Sequence, residues 1–296
     1  MMEMQSDSTK IGLVAGWGRY PLVVADALRA QGQRVYGLGI KDHADRALAD
    51  RCDVYHEVGL AKLGAALRFF RRHRVTRATM AGKIHKVRLF QRFHWIKHIP
   101  DWRCARTFFP HFAARTKDRR DDTLLLAVVE AFAQDGIHFA PATDFAPELL
   151  VKYGFISGRR LTIAQQQDIA FGWEIAKELG RLDCGQSVAV KGRAVLALEA
   201  VEGTDECIRR AGQLCTEGGF TVVKVAKPQQ DMRFDVPTIG VGTIEMLSQA
   251  GGRVLAVEAG KTIIIDEPHV AQLARRKNIT LVAVHHGDAA NLSDAA

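Results

Sequence analysis

Residues 222–240, VVKVAKPQQDMRFDVPTIG, gather two lysines, an arginine and two carboxylates within a dozen positions. Lys224 and Lys227 precede a short polar loop; Asp231 and Asp235 follow, with Arg233 between them and Gln230 just before. The apolar run stops at Pro228, so a buried strand is expected to end there and deliver a charged loop. Lysines hold phosphate oxygens as point charges, arginine forks onto them, and aspartates hold a hard divalent cation. A loop carrying both signs of charge suits a metal–phosphate substrate better than either sign alone. The competing reading is a salt-bridged turn between core strands.

Four other places carry residue types that could do chemistry. Gly16-Trp17-Gly18-Arg19-Tyr20-Pro21 follows an apolar run and opens a helical pattern, so its backbone amides could cradle a phosphate or diphosphate. It resembles a dinucleotide fingerprint and marks the first half as Rossmann-like. However, Pro21 replaces the third glycine, and the second strand ends at Lys41-Asp42 rather than at a clear acid. A nicotinamide, another phosphate ligand and a plain tight turn all remain open at this loop. Lys83, in a Gly-Lys pair, and Asp121-Asp122 flank a basic segment; one of these aspartates could simply cap a helix. In Glu202-Gly203-Thr204-Asp205, Thr204 or Asp205 could be an N-cap, which would leave Glu202 free at a strand end. His285-His286 have no third ligand at metal spacing and read as a basic surface pair.

Residues 83–120 hold eleven Lys or Arg against two Asp, interleaved with Phe90, Phe93, Trp95, Trp102, Phe108, Phe109 and Phe112. Such a segment could bind nucleic acid by charge and stacking, or lie on an anionic membrane. It could equally be an arm whose aromatics are buried within the protein.

The elements that must position these residues alternate between strand and helix patterns. In the first half, strands are expected at 11–16, 34–40, 52–58, 77–82 and 137–142, with helices at 19–32, 60–74 and 121–136. This order argues for a parallel sheet with helices on its faces. Residues 143–162 are mixed in composition and read as a linker. The second half gives a helix at 162–180 and strand patterns at QSVAVKG, VLALEAV and FTVVKVA. Helices are expected in TDECIRRAGQLC, PTIGVGTIEMLSQAG and PHVAQLARRKN. RVLAVEAG and KTIIIDE read as paired strands, and ITLVAVHH as a last strand. The expected organisation is therefore α/β throughout: an N-terminal domain at 10–142, a linker at 143–162, and a C-terminal catalytic domain at 163–287.

Bulk properties narrow the class. The chain has 296 residues, 47% hydrophobic and 25% charged, with a net charge of +8, ordinary for a globular protein. No apolar run approaches the roughly 20 residues that span a bilayer. The start, MMEMQSDSTK, has neither a basic n-region nor an apolar h-region, unlike a secretory signal. Five scattered cysteines without a CxxC spacing favour reduced thiols and a cytoplasmic setting.

Taken together, AGWGRYP (15–21), AGK (81–83), DDTLL (121–125), LDCGQSVAV (182–190), LALEAVEGTDECIRR (196–210), KVAKPQQDMRFDVPTIG (224–240) and VEAG (257–260) resemble the UDP-2,3-diacylglucosamine pyrophosphatase family of lipid A biosynthesis. The resemblance is to the type unrelated to the metallophosphoesterase-fold enzyme, and its blocks run in order over nearly the whole chain. It implies two domains joined by a linker with the lipid-sugar nucleotide held between them. It also implies Mg²⁺-dependent hydrolysis to UMP and 2,3-diacylglucosamine 1-phosphate, with water attacking the phosphorus nearer the sugar. Asp231 and Asp235 would then be metal ligands or the water-orienting base, with Glu202 and Asp205 next. Lys224, Lys227 and Arg233 would neutralise the diphosphate; Gly16, Gly18, Lys83, Asp122, Thr204 and Gln230 would contact substrate. The enzyme would meet the inner membrane transiently from the cytoplasm, with no nucleic-acid partner.

Three rivals stand beside this reading. A nucleic-acid-binding protein would use the 83–120 arm but leaves Asp231 and Asp235 unexplained. A Rossmann-type oxidoreductase would bind nicotinamide at Gly16–Gly18, against the departure at Pro21. A non-catalytic lipid carrier would bind diacylated sugars and release no UMP.

Overall fold

Strands buried on both faces must be apolar at nearly every position, and the first two strands are: KIGLVA and RVYGLGI. A computed structural model describes residues 9–83, 100–113, 121–233 and 235–288, and among these all side chains except those of 110–113 and 121–124. The chain divides into two units: the first runs to residue 147 and includes 232–234, while the second comprises 148–231 and 235 onward.

The first unit contains β1 (Lys10–Ala15), α1 (Tyr20–Ala30), β2 (Arg34–Ile40), β3 (Val54–Val58), α2 (Leu63–Arg72), β4 (Arg77–Ala81), α3 (Trp102–Ala113), α4 (Asp121–Gln134), β5 (His138–Phe139) and the short α5 (Ala142–Phe145). Its sheet has the order β3-β2-β1-β4-β5, every pair parallel. The chain builds outward from β1 to β3, then crosses to β4 on the other side, so β1 and β4 flank a switch point where open α/β sheets bind ligands. Helix α2 buries Leu63, Ala66, Leu67 and Phe70, a helical stripe, and ends on Arg71 and Arg72, which complement its C-terminal dipole. Phe70 is fully buried and lies where a side chain on Gly12 of β1 would stand; a methyl there would be 2.8 Å from the ring. Phe132 of α4 extends the same cluster, packing edge-on against Phe139 at 5.0 Å between ring centres.

Within the basic aromatic segment, α3 is tied down by Asp101. One carboxylate oxygen accepts from the Cys104 amide at 2.9 Å and the other from the Ala65 amide at 3.2 Å. Arg103 pairs with Asp135, while Trp102 and Phe109 stay largely exposed. The rest of that segment, 84–99 and 114–120, lies outside the described residues.

The second unit contains β6 (Gly154–Ser157), α6 (Ile163–Arg181), β7 (Ser187–Lys191), β8 (Ala194–Leu198), α7 (Thr204–Leu214), β9 (Thr221–Lys224), β10 (Thr238–Ile239), α8 (Val241–Gln249), β11 (Val254–Glu258), β12 (Ile263–Ile264), α9 (Glu267–Arg276) and β13 (Thr280–Val284). Its main sheet runs β6-β13-β11-β9-β7-β8. The three central strands are parallel; β6, β7 and β8 add on antiparallel. Alternation sorts the core: Val222, Leu255 and Leu281 meet Ile208, Ile244 and Val270 of α7, α8 and α9. Val223, Ala256 and Val282 meet Ile169, Trp173 and Ala176 of α6 on the opposite face. Helix α6 starts on a capping box, with the Thr162 hydroxyl accepting from the Gln165 amide and the Gln165 side chain accepting from the Thr162 amide.

The expected pairing of RVLAVEAG with KTIIIDE does not occur. Both edges of β11 are taken by β9 and β13, so β12 pairs instead with β10 in a separate parallel ribbon. Residues 143–162 carry part of α5, a 3-10 turn at 147–149 and β6, whose edge position and short length give it little sequence signal.

Replacing Phe70 by Ala leaves a cavity between α2, α4 and the first sheet. It is expected to cost about 3–5 kcal/mol, read as a lowered midpoint of urea unfolding relative to wild type.

Candidate active site

At the switch point of the first sheet, β1 and β4 end in two loops that bond to each other. The Gly16 amide donates to the Ala81 carbonyl at 2.8 Å, the Trp17 amide to the Lys83 carbonyl at 2.8 Å, and the Lys83 amide to the Trp17 carbonyl at 3.0 Å. This close approach requires glycine. A methyl on Gly82, whose φ is +92°, would sit 2.9 Å from Trp17 O and from the carbonyl carbon of Gly16. Gly18 (φ +103°) opens onto space just before α1, and Lys83 is exposed. Gly16, Gly18 and Lys83, picked separately from the sequence, are therefore neighbours in one cradle before a helix N-terminus. Asp122 lies in the first turn of α4, and its side chain lies outside the described residues.

In the second unit, the C-terminal end of β9 meets the start of β7 and the end of β8. The Lys224 ammonium is buried, donating to the Thr204 hydroxyl at 3.0 Å and to the Thr238 carbonyl at 3.2 Å. Thr204 in turn donates to Glu199 Oε1 at 3.0 Å and lies 3.3 Å from the Ser187 hydroxyl, while the Gln186 amide reaches Glu199 Oε2 at 3.3 Å. Lys224 and Thr204 were legible as candidates; Glu199 and Ser187 were not. Of the two glutamates before α7, Glu199 is buried in this network. Glu202 is not free: it pairs with Arg210, which also donates to the Leu198 carbonyl at 2.6 Å. Bonding to backbone amides and to Arg210 holds the Glu202 carboxyl below its usual range. The cap of α7 is Gly203 (φ 86°) rather than Thr204 or Asp205, and Asp205 lies exposed in the first turn.

The loop after β9 opens with a closed turn. Pro228 takes its second position, the Gln230 amide donates to the Lys227 carbonyl at 3.1 Å, and the Lys227 amide donates to Gln230 Oε1 at 2.8 Å. The Lys227 ammonium reaches Asp183 Oδ1 at 2.7 Å. The next turn is closed by the Asp235 amide on the Asp231 carbonyl at 3.1 Å, so both half-buried carboxylates and the half-buried Arg233 belong to one short piece of chain. Two hard oxygen donors on one turn fit Mg²⁺, which commonly takes one or two carboxylates and fills its remaining positions with water and phosphate. Among the described residues, no group of three or more His, Cys, Asp or Glu is arranged for a metal.

A second ion pair stands beside this loop. Lys177 of α6 donates to Glu258 Oε2 at 2.6 Å and to the Ala226 carbonyl at 3.0 Å. Glu258 Oε2 also accepts from the Ala226 amide at 2.8 Å, and Lys261 lies 3.0 Å from Oε1. Burial pushes the Glu258 carboxyl up, but the bonds from Lys177, Lys261 and Ala226 outweigh it and hold it below the usual carboxylate range. Neither Lys177 nor Glu258 stood out in the sequence, although Glu258 lies within the VEAG block. Elsewhere, His285 stacks on Tyr153 and His286 lies 3.0 Å from Glu174, as befits a surface pair. Burial pushes the thiols of Cys52 and Cys207 up to about 12 and that of Cys104 up to about 11, so none of these three is a ready nucleophile.

These features define a two-domain α/β protein with a backbone cradle in one domain and a charged loop beyond a buried polar network in the other. Family models described as the LpxI N-terminal domain and the LpxI C-terminal domain match residues 10–149 and 152–282, and the chain belongs to the LpxI family. A relative in Caulobacter vibrioides, named UDP-2,3-diacylglucosamine pyrophosphatase LpxI, is 30% identical over 274 residues, covering 90% of this chain and 94% of the relative.

The lowered Glu258 carboxyl stabilises the fold above the unfolded glutamate pKa of about 4.3, and that contribution fades as pH falls through the folded value. Thermal melts of wild type and Glu258→Gln are therefore expected to differ most near neutrality and to converge below about pH 4.

Proposed function

We propose that this chain hydrolyses the diphosphate of UDP-2,3-diacylglucosamine to UMP and 2,3-diacylglucosamine 1-phosphate. The observation that carries this is the match to the Caulobacter pyrophosphatase over 90% of this chain and 94% of the relative. The turn bearing Asp231 and Asp235, beside Lys227 and Arg233, gives it chemical sense. Asp231 or Asp235 orients a water and takes its proton as the water oxygen bonds to the phosphorus nearer the sugar. The bond from that phosphorus to the bridging oxygen breaks, and UMP leaves with the bridging oxygen. Lys227 and Arg233 offset the charge that develops on the leaving phosphate. Mg²⁺ held by the two aspartates would supply further positive charge to the phosphate oxygens. Gly16–Gly18 and Lys83 offer backbone amides and an ammonium to a phosphate.

The experiment is turnover in ¹⁸O-water with and without Mg²⁺, followed by mass spectrometry. Metal-dependent UMP release with the label in the lipid phosphate is the expected result. Label in UMP would place the attack on the other phosphorus, and no release would leave a lipid carrier. Asp231→Asn and Asp235→Asn are each expected to lower kcat by about 100-fold or more, with the variants remaining folded by circular dichroism.

The enzyme would work from the cytoplasmic face of the inner membrane, touching it through α3, where Trp102 and Phe109 are exposed beside Arg103 and Arg106. Among the described residues no helix is long and apolar enough to cross a membrane. Flotation is expected to recover the protein with anionic vesicles and to lose it in high salt. Equal recovery with neutral vesicles, or none with either, would refute that contact.

A further inference from the structure

We infer that the half-buried Lys177–Glu258 pair positions the loop carrying Asp231 and Asp235, by holding both backbone polar groups of Ala226. The inference rests on the hydrolase reading above and adds two residues that touch no part of the proposed reaction.

The argument begins where β9 leaves the sheet. Its pairing with β11 ends at Lys224 opposite Val257, and on the other side the Val225 amide makes one more bond, to the Gln186 carbonyl at 3.0 Å. Ala226 follows. It is 2% exposed and has run out of strand partners, so its amide and carbonyl need others. Glu258, the last residue of β11, accepts the amide at 2.8 Å, and Lys177 donates to the carbonyl at 3.0 Å. The two side chains then neutralise each other at 2.6 Å. A pair of apolar residues of similar volume would fill the space and leave both backbone groups unsatisfied, so the charge pair serves the backbone it holds.

The same helix face steers the chain beyond Ala226. Gly180, one turn after Lys177, lets the loop pass close: a methyl there would lie 3.1 Å from Lys227 Cα and 3.2 Å from Pro228 Cδ. Immediately beyond, the Lys227–Gln230 turn is closed in both directions and hands the chain to Asp231. Ala226 is thus the last point fixed by the sheet edge before the reactive turn. A displacement there is carried to the carboxylates, where misplacement by about 1 Å costs on the order of 100-fold in rate.

The test combines steady-state UMP release with hydrogen exchange of peptides spanning 225–237, in wild type, Glu258→Gln, Lys177→Met and Lys177→Arg. In Glu258→Gln and Lys177→Met, kcat is expected to fall about 10- to 100-fold with KM changed less than about threefold. Exchange should rise in 225–237 and stay unchanged in β13 and α9. Lys177→Arg, which keeps the cation, should retain kcat within about threefold of wild type. The proposal is overturned by unchanged kcat and loop exchange, or by exchange rising across the whole second sheet in step with lost activity. If wild type itself releases no UMP, the hydrolase reading fails, and the exchange data still decide whether the pair holds the loop.

Discussion

One lysine ammonium, Lys224, is buried and a second, Lys177, half-buried where the central strands of the second sheet end, and much of the local architecture follows from satisfying them. A buried ammonium costs several kcal/mol unless it is paired and hydrogen-bonded. Lys224 meets that demand with Thr204 and Thr238, Lys177 with Glu258 and the Ala226 carbonyl. The first arrangement needs residues from three strands and a helix at one place. Because β7 runs antiparallel to β9, its start brings Ser187 opposite Lys224. Because β8 runs back along β7, its end returns to the same edge and presents Glu199, and α7 begins five residues later with Thr204. The antiparallel hairpin on an otherwise parallel core is thus what closes the polar network around Lys224.

The first unit meets its edge with backbone in place of side chains. Parallel β1 and β4 end side by side at the switch point, and the two loops that leave them zip together through Gly16, Trp17 and Lys83. Only a chain without Cβ atoms at Gly16 and Gly82 permits that spacing. The result is a short rim with a glycine opening onto space and a helix beginning just beyond, the geometry that the proposal above assigns to a phosphate. A third glycine is not needed to start α1, because Pro21 in the first turn has no amide to satisfy and a φ already suited to a helix.

What could be read from the sequence followed from signals that are local. RVYGLGI is a strand because its apolar run is uninterrupted, and 34–40 is where β2 lies. The helix pattern at 162–180 is likewise where α6 lies, from Ile163 to Arg181. Lys224, Lys227, Asp231 and Asp235 could be picked because they crowd one loop. What escaped was set by partners distant in sequence. Lys177 looks like any helix-surface lysine until β11 brings Glu258 to it. Glu199 and Glu202 are three residues apart, and nothing local says which one turns inward to Thr204 and which outward to Arg210. The β11–β12 pairing was misread for the same reason: two apolar runs joined by a short turn imitate a hairpin, and only β9 and β13 explain why the edge was already taken.

The distribution of charge at the second site bears on the proposed metal. The cations nearest the sheet edge are already engaged: Lys224 in a buried network, Lys177 with Glu258, and Lys227 with Asp183. In the proposed reaction a diphosphate arriving there would share Lys227 with Asp183, so that cation alone would offset only part of the developing charge. Asp231 and Asp235 sit half-buried on one turn, closed by the Asp235 amide on the Asp231 carbonyl. In the reading proposed above, a divalent cation held by the two carboxylates would set positive charge against the phosphate oxygens, with an aspartate oxygen to orient water. The engaged lysines and the paired aspartates thus support the same Mg²⁺-assisted reading from opposite sides.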